Sequence, residues 1–194
     1  EERKKINKNF HLIALAYNYV GYSNLVRLSS WSYVYGFGGV PRRARINKEQ
    51  LLKHTEGLIF TSCCYASEIG YTFDRYGEDA GFDKIAEYIG MFGENFYLEI
   101  MMLDFVKQKD YDIFILKAHE KFGCKILMTQ DCHFSEESES KYQRLTLMIQ
   151  TGKTIAEVEK LQAEGADLFE IQDRHLWVKS QDELNSFWLQ EYSK

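Results

Sequence analysis

Cys64, Asp131 and His133 combine metal-competent side chains with positions directly after apolar runs, where sites are commonly built. Asp131 and His133 are separated by one residue in Thr129-Gln130-Asp131-Cys132-His133, immediately after the run Lys125 to Thr129. Side chains at that spacing point to one side of an extended chain, so a carboxylate and an imidazole there can reach one cation. Cys64 follows the run Gly57 to Ser62 and offers a soft sulfur ligand for zinc, while the Asp and His also suit manganese or iron. Each residue has a bland reading beside this one: the Asp capping a turn, the His exposed, and Cys63 and Cys64 acting as small buried hydrophobes. Glu68 is a further acid near this set, and it would be equally at home in the first turn of a helix, where the macrodipole favours negative charge.

Other residues carry less. Of the cluster Arg42, Arg43 and Arg45, Arg45 is kept as a candidate contact, against the commoner reading of such clusters as solvated surface. His54 and His119 lie on charged helical stretches, and His11 and His175 sit beside strand-like runs. Gly36-Phe37-Gly38-Gly39 resembles a phosphate cradle, but no helix start with Lys-Ser/Thr follows it; Thr151-Gly152-Lys153-Thr154 lacks the upstream glycine of the same motif.

Four runs rich in Ile, Leu, Phe and Tyr are expected to be buried strands: His11 to Ala16, Gly57 to Ser62, Phe96 to Met101 and Lys125 to Thr129. Helical patterns separate them. Gly21 to Tyr35 places Leu25, Leu28, Ser29, Ser32 and Tyr35 near one face, and Tyr111 to Phe122 carries Ile113, Leu116 and Phe122 amid charge. Asp79 to Phe92 and Glu139 to Ile149 are further amphipathic segments, and Gly123 stands where a helix ends. Beyond Thr154 come a polar helix through Ala163, a strand-like piece from His175 to Lys179, and a helix from Gln181 to Tyr192. Ser180 and Glu183 have the spacing of a capping box for the last. Strands alternating with helices predict parallel units of an α/β sheet or barrel, with Cys64, Glu68, Asp131 and His133 on loops at the carboxyl ends of strands.

The 194 residues, 45% hydrophobic and with a single Pro, fit one compact domain or a large piece of one. A formal net charge of -5 provides no basic field for autonomous nucleic-acid binding. The four cysteines have neither metal-finger spacing nor the framework of a small secreted protein, which fits the reducing cytoplasm. No stretch has the length and apolarity of a membrane span, and no membrane partner is expected. The first residue is not Met, so the sequence is expected to continue upstream.

Taken in order, the segments resemble the PHP domain (named for polymerase and histidinol phosphatase) of the family C polymerases, the bacterial-type DNA polymerase III alpha subunits. Phe10-His11-Leu12-Ile13-Ala14-Leu15-Ala16 with Gly21-Tyr22-Ser23-Asn24-Leu25 resembles HLxLLAxNxxGYxNL. Glu56-Gly57-Leu58-Ile59 with Ser62-Cys63-Cys64 and Glu68-Ile69 resembles EGLIxLSGCLxGEI, with a cysteine in place of the middle glycine. Phe96-Tyr97-Leu98-Glu99 matches FYLE, Asp131-Cys132-His133 matches the DxH of NDVHY, and Ile149-Gln150-Thr151-Gly152-Lys153-Thr154 matches IQTGKT.

The resemblance implies a distorted, TIM-like barrel, here partial because its N-terminal strands are missing. Residues 1–154 would form the barrel portion, and 155–194 would lead toward the polymerase core. The family's metal ligands carry over onto Cys64, Asp131 and His133, for zinc or manganese bound weakly or not at all. The family's opening HxH pair and later Asp-His precede this sequence, and the family histidine after FYLE aligns with Leu103, which cannot ligate a metal. The implied function is a scaffold with a degraded metal site in DNA replication. Its partners would be the remaining domains of the alpha subunit and replisome subunits, with DNA reached only through the parent protein. The alternatives are a metal-dependent phosphoesterase or 3′-5′ exonuclease, and a free-standing or phage-encoded interaction module.

Overall fold

A computed structural model describes residues 9–38, 43–103, 106–165 and 176–192. The opening Glu1 to Lys5, Gly39, Arg42 and His175 lie outside the described residues. Strands β1 (Ile13–Ala16), β2 (Leu58–Thr61), β3 (Phe96–Met101) and β4 (Ile126–Thr129) form one sheet in the order β1-β2-β3-β4. The helices are α1 (Tyr19–Val34), α2 (Lys48–Leu52), α3 (Glu68–Tyr76), α4 (Glu78–Phe92), α5 (Val106–Phe122), α6 (Ser140–Thr151), α7 (Ile155–Ala163) and α8 (Gln181–Glu191). The fold is mixed α/β, and all four expected strands are present within two residues of their expected limits.

One expectation about the sheet is corrected. β2 and β3 are parallel, but β1 runs antiparallel to β2, with Ile13 opposite Thr61 and Ala16 opposite Leu58. The reason lies in the connection. α1 starts at the end of β1 and is pinned there: the Tyr17 N–H donates to the Gly57 carbonyl (3.1 Å) and the Asn24 amide donates to that of Glu56 (2.9 Å). α1 carries the chain away from this point, and residues 35–57 bring it back to the same end of the sheet, so β2 must leave in the opposite direction. Gly21 permits the junction, because a Cβ there would lie 1.9 Å from the Gly57 carbonyl oxygen.

These contacts also rotate α1. Its buried residues are Gly21, Asn24, Leu28 and Ser32, whereas Ser29 and Tyr35 of the expected face are exposed. In α5 the expected Ile113 is exposed as well, and Tyr111, Phe114, Ile115 and Ala118 are the buried residues. α2 and α3 were anticipated without limits, in the charged helical stretch around His54 and in the reading of Glu68 as the opening acid of a helix: α2 is five residues long and ends before His54, and α3 starts at Glu68 itself.

The chain divides into two compact units, Glu1–Ile100 with Phe114–Leu127, and Met101–Ile113 with Met128–Lys194. The core of the first is aromatic: Phe60 stacks on Phe92 with ring centroids 3.9 Å apart, and Phe73 on Phe114 at 4.4 Å. Leu58, Ile85 and Leu98 complete it at 0% exposure, each side chain worth about 1.5–3 kcal/mol on burial. In the second unit the fully buried Asp112 accepts from the Met101 N–H (3.2 Å), the Gln108 amide (2.8 Å) and the Tyr192 hydroxyl (2.8 Å). The Thr151 to Thr154 segment is a helix junction there. Gly152, at φ 66°, ends α6, and Thr154 caps α7 in a reciprocal box with Glu157.

Candidate metal centre

The antiparallel direction of β1 decides which residues meet. It brings the start of β1 to the end of β2, and beyond the last pair, Ile13 with Thr61, His11 bridges Ser67, its N–H donating to the Ala66 carbonyl at 3.4 Å. Nδ1 of His11 lies 3.5 Å from Sγ of Cys64, and the donor atoms of His11, Cys63 and Cys64 all lie within 4.8 Å of one another. The imidazole is exposed, Cys64 half-buried and Cys63 buried.

Adjacent side chains normally diverge, and a backbone turn overcomes this here. Cys63 has φ 58°, the left-handed conformation that glycine adopts without cost and other residues at about 1–2 kcal/mol. Hydrogen bonds hold it there. The Cys63 N–H donates to the Thr61 hydroxyl (3.2 Å), and that hydroxyl donates to the carboxylate of Glu99, which is 0% exposed in the middle of β3. The Ser62 hydroxyl accepts from the Glu99 N–H at 2.8 Å. Glu99 thus positions the thiol-bearing turn from the neighbouring strand.

The two thiols differ electrostatically. A hydrogen bond from the Cys63 thiol lowers the pKa of Cys64 to about 6; burial opposes this, and the Ala66 backbone and His11 assist it. The same hydrogen bond, followed by burial, pushes the Cys63 thiol upward. Cys64 is therefore the thiolate of the pair at neutral pH, and the Cys63 proton is the one a second sulfur–metal bond must displace.

Cys64 and Glu68 belong to the first unit. Glu68 opens α3 after its Ser67 cap and is committed to ion pairs with Lys48 (2.5 Å) and Lys84 (3.6 Å) and to the Tyr88 hydroxyl (2.9 Å). Arg45, also of this unit, lines a cleft beside α2. Asp131 and His133 belong to the second unit, where Nε2 of His133 is 3.4 Å from Oδ1 of Asp131. An extended chain is not what brings them together, since Asp131 has φ 50°. The His133 N–H donates to the Leu176 carbonyl at 2.7 Å, and Nε2 of Gln143 lies 3.1 Å from Nδ1 of His133. With the Gln143 amide donating, Nδ1 is the acceptor and the ring proton sits on Nε2, facing Asp131. Leu103 is buried at 3% exposure.

Sequence reasoning passed over His11 and Glu99. The signal for His11 was its place at the mouth of β1, legible only with the strand direction known. The signal for Glu99 was a carboxylate inside an otherwise apolar run.

Residues 2–102 match the PHP domain family. The chain is 36% identical over 163 residues to the DNA polymerase III subunit alpha of Helicobacter pylori, covering 78% of this chain and 13% of that protein. It is 32% identical over 151 residues to the same subunit of Thermus aquaticus, covering 78% and 12%. With that of Borreliella burgdorferi it shares 32% identity over 178 residues, covering 91% of this chain and 14% of the relative. The chain thus spans about an eighth of the length of the curated relatives it matches.

Proposed function

Because this chain belongs to the PHP domain family, we propose that it is the PHP portion of a replicative DNA polymerase III alpha subunit, acting as a scaffold for that subunit's other domains. The carrying observation is the similarity to alpha subunits that runs over 91% of this chain in one alignment. On this reading residues 1–154 are part of a distorted barrel and 155–194 lead toward the polymerase core. DNA and replisome subunits are reached through the parent protein, in the cytoplasm. Among the described residues no helix is long and apolar enough to cross a membrane.

The scaffold reading rests on the thin donor set. Closed zinc sites take four protein ligands and catalytic ones three with a water. Leu103 stands where the resemblance puts a family histidine, and among its described residues the first unit brings together three donors, one of them a thiol whose proton is held tightly. In the parent subunit, deletion of residues 1–194 should abolish soluble, active polymerase, whereas replacing His11 and Cys64 together by Ala should leave primer extension within about twofold. Loss of extension in the double variant would overturn the scaffold reading.

A second reading, a metal-dependent phosphoesterase or 3′-5′ exonuclease, is favoured by one observation, the His11, Cys63 and Cys64 set. Its donors suit zinc better than manganese: tetrahedral bonds of about 2.1 and 2.3 Å space an imidazole nitrogen and a thiolate by about 3.6 Å, close to the 3.5 Å found between His11 and Cys64. When bound, such an ion would supply Lewis acidity toward a phosphoryl oxygen. Near-stoichiometric zinc after dialysis, lost in His11→Ala, together with nucleotide release from a DNA 3′ end, would establish this reading in place of the scaffold.

A further inference from the structure

The first unit contains a cleft of about 870 Å³, within the range of small-molecule sites. His11 stands on its wall and is shared with the donor set above, but the two thiols do not line it. Its chemistry is cationic and aromatic. Among the described residues, Arg43, Arg45 and Lys48 line it against a single carboxylate, Glu68. That carboxylate is already neutralised by Lys48 and Lys84, and Lys48 is further held by Glu87 at 2.6 Å. The two guanidinium groups are left as the cleft's surplus charge.

Arg45 carries the argument furthest. Its Nε is buried, yet it has no hydrogen-bond partner among the described residues. A buried cationic N–H left unpaired is costly, so the charge of Arg45 is under-compensated within the chain and favours an anion in the cleft that it lines. A guanidinium fork matches the oxygens of a phosphate two at a time, which a water or a single carbonyl does not. Trp31 and Tyr35 in the lining add aromatic surface of the kind on which nucleobases stack, whereas Tyr88, 5% exposed, carries Lys48 over its ring.

We propose that this cleft binds a nucleoside phosphate, with Arg45 as the principal phosphate contact, Arg43 as the second and the aromatic wall as the platform for the base. The inference concerns binding alone and goes beyond the reading of the chain as part of a polymerase. It requires neither a metal nor hydrolysis.

The test is calorimetric titration of the full chain, in EDTA, with deoxyadenosine monophosphate, deoxyadenosine and a short single-stranded oligonucleotide. The monophosphate should bind saturably and deoxyadenosine at least about tenfold more weakly, the difference being the charge-assisted phosphate contact. Arg45→Ala should weaken the monophosphate by about tenfold or more and leave deoxyadenosine unchanged, with Arg45→Lys in between because it keeps the charge and loses the fork. Circular dichroism checks folding, and Arg43→Ala gives a second, independent loss should Arg45→Ala fail to fold. Arg45-dependent binding of either the monophosphate or the oligonucleotide supports the site, and the tighter of the two identifies a free nucleotide or a strand as its source. Absence of saturable binding by both, or binding indifferent to both arginines, overturns the proposal. Because metal is excluded and no polymerase activity is read, that failure would leave the scaffold and hydrolase readings where they stand.

Discussion

At Cys63 a side chain occupies a left-handed backbone position, and that inverts the usual ranking of small substitutions. Alanine normally outranks glycine in stability, but at φ 58° its Cβ is strained. Cys63→Gly should therefore be more stable than Cys63→Ala by about 1 kcal/mol in urea unfolding, and equal stability would show that the turn relaxes. The thiol has a second effect, on its neighbour. In metal-free protein, alkylation of Cys64 should follow the thiolate population, rising with pH around a midpoint of about 6. Cys63→Ala removes the largest cause of that lowering, so the midpoint should move up toward the ordinary thiol value of 9.0. A midpoint that stays near 6 would transfer the cause to His11 and the Ala66 backbone.

Among the elements, α8 and α1 respond to different forces. Ser180 accepts from the Glu183 N–H, and the Glu183 carboxylate accepts from the Ser180 N–H and hydroxyl, which lowers the Glu183 pKa below its ordinary 4.5. Ser180→Ala should cost about 1 kcal/mol. The sign of the pH dependence follows from the lowered folded pKa: the carboxylate's contribution is complete above 4.5 and is lost as pH falls through the lower folded value, seen as loss of α8 amide protection in acid. α1 depends on contact rather than charge. Gly21→Ala drives a Cβ into the Gly57 carbonyl and should cost about 3 kcal/mol by thermal unfolding, with no small side chain tolerated. These two helices also mark how far the sequence could be read. The α8 cap is local, written within four residues, and was legible; so were the four strands, whose apolar runs are continuous. The direction of β1 was not, because it depends on where Gly57 meets α1, a contact between distant residues that no local pattern records. With the direction went His11, whose meeting with Cys64 follows from it. The pairing of Asp131 with His133 was legible from spacing, but the left-handed turn that achieves it was not.

For the molecule as a whole, the net charge of -5 sets an expectation about nucleic acid. The chain by itself should show no primer extension, and any affinity it has for duplex DNA should be weak, because few phosphates can be neutralised. Extension by the purified chain that survives removal of contaminating polymerase would reverse this. The antiparallel junction has a topological consequence of its own. Ala16 pairs with Leu58, so everything from Tyr17 to Gly57 is an excursion that leaves and re-enters the sheet at one point. In outline β1 and β2 are a hairpin whose tip has been expanded into a helical subdomain. Closing a tip of that length costs only a few kcal/mol more than closing a tight turn, since the entropy grows with the logarithm of loop length. The sheet can thus accept insertion, exchange or excision of that entire excursion without any change in strand order, which makes Tyr17 and Gly57 the natural splice points for grafting it out of, or into, a related fold.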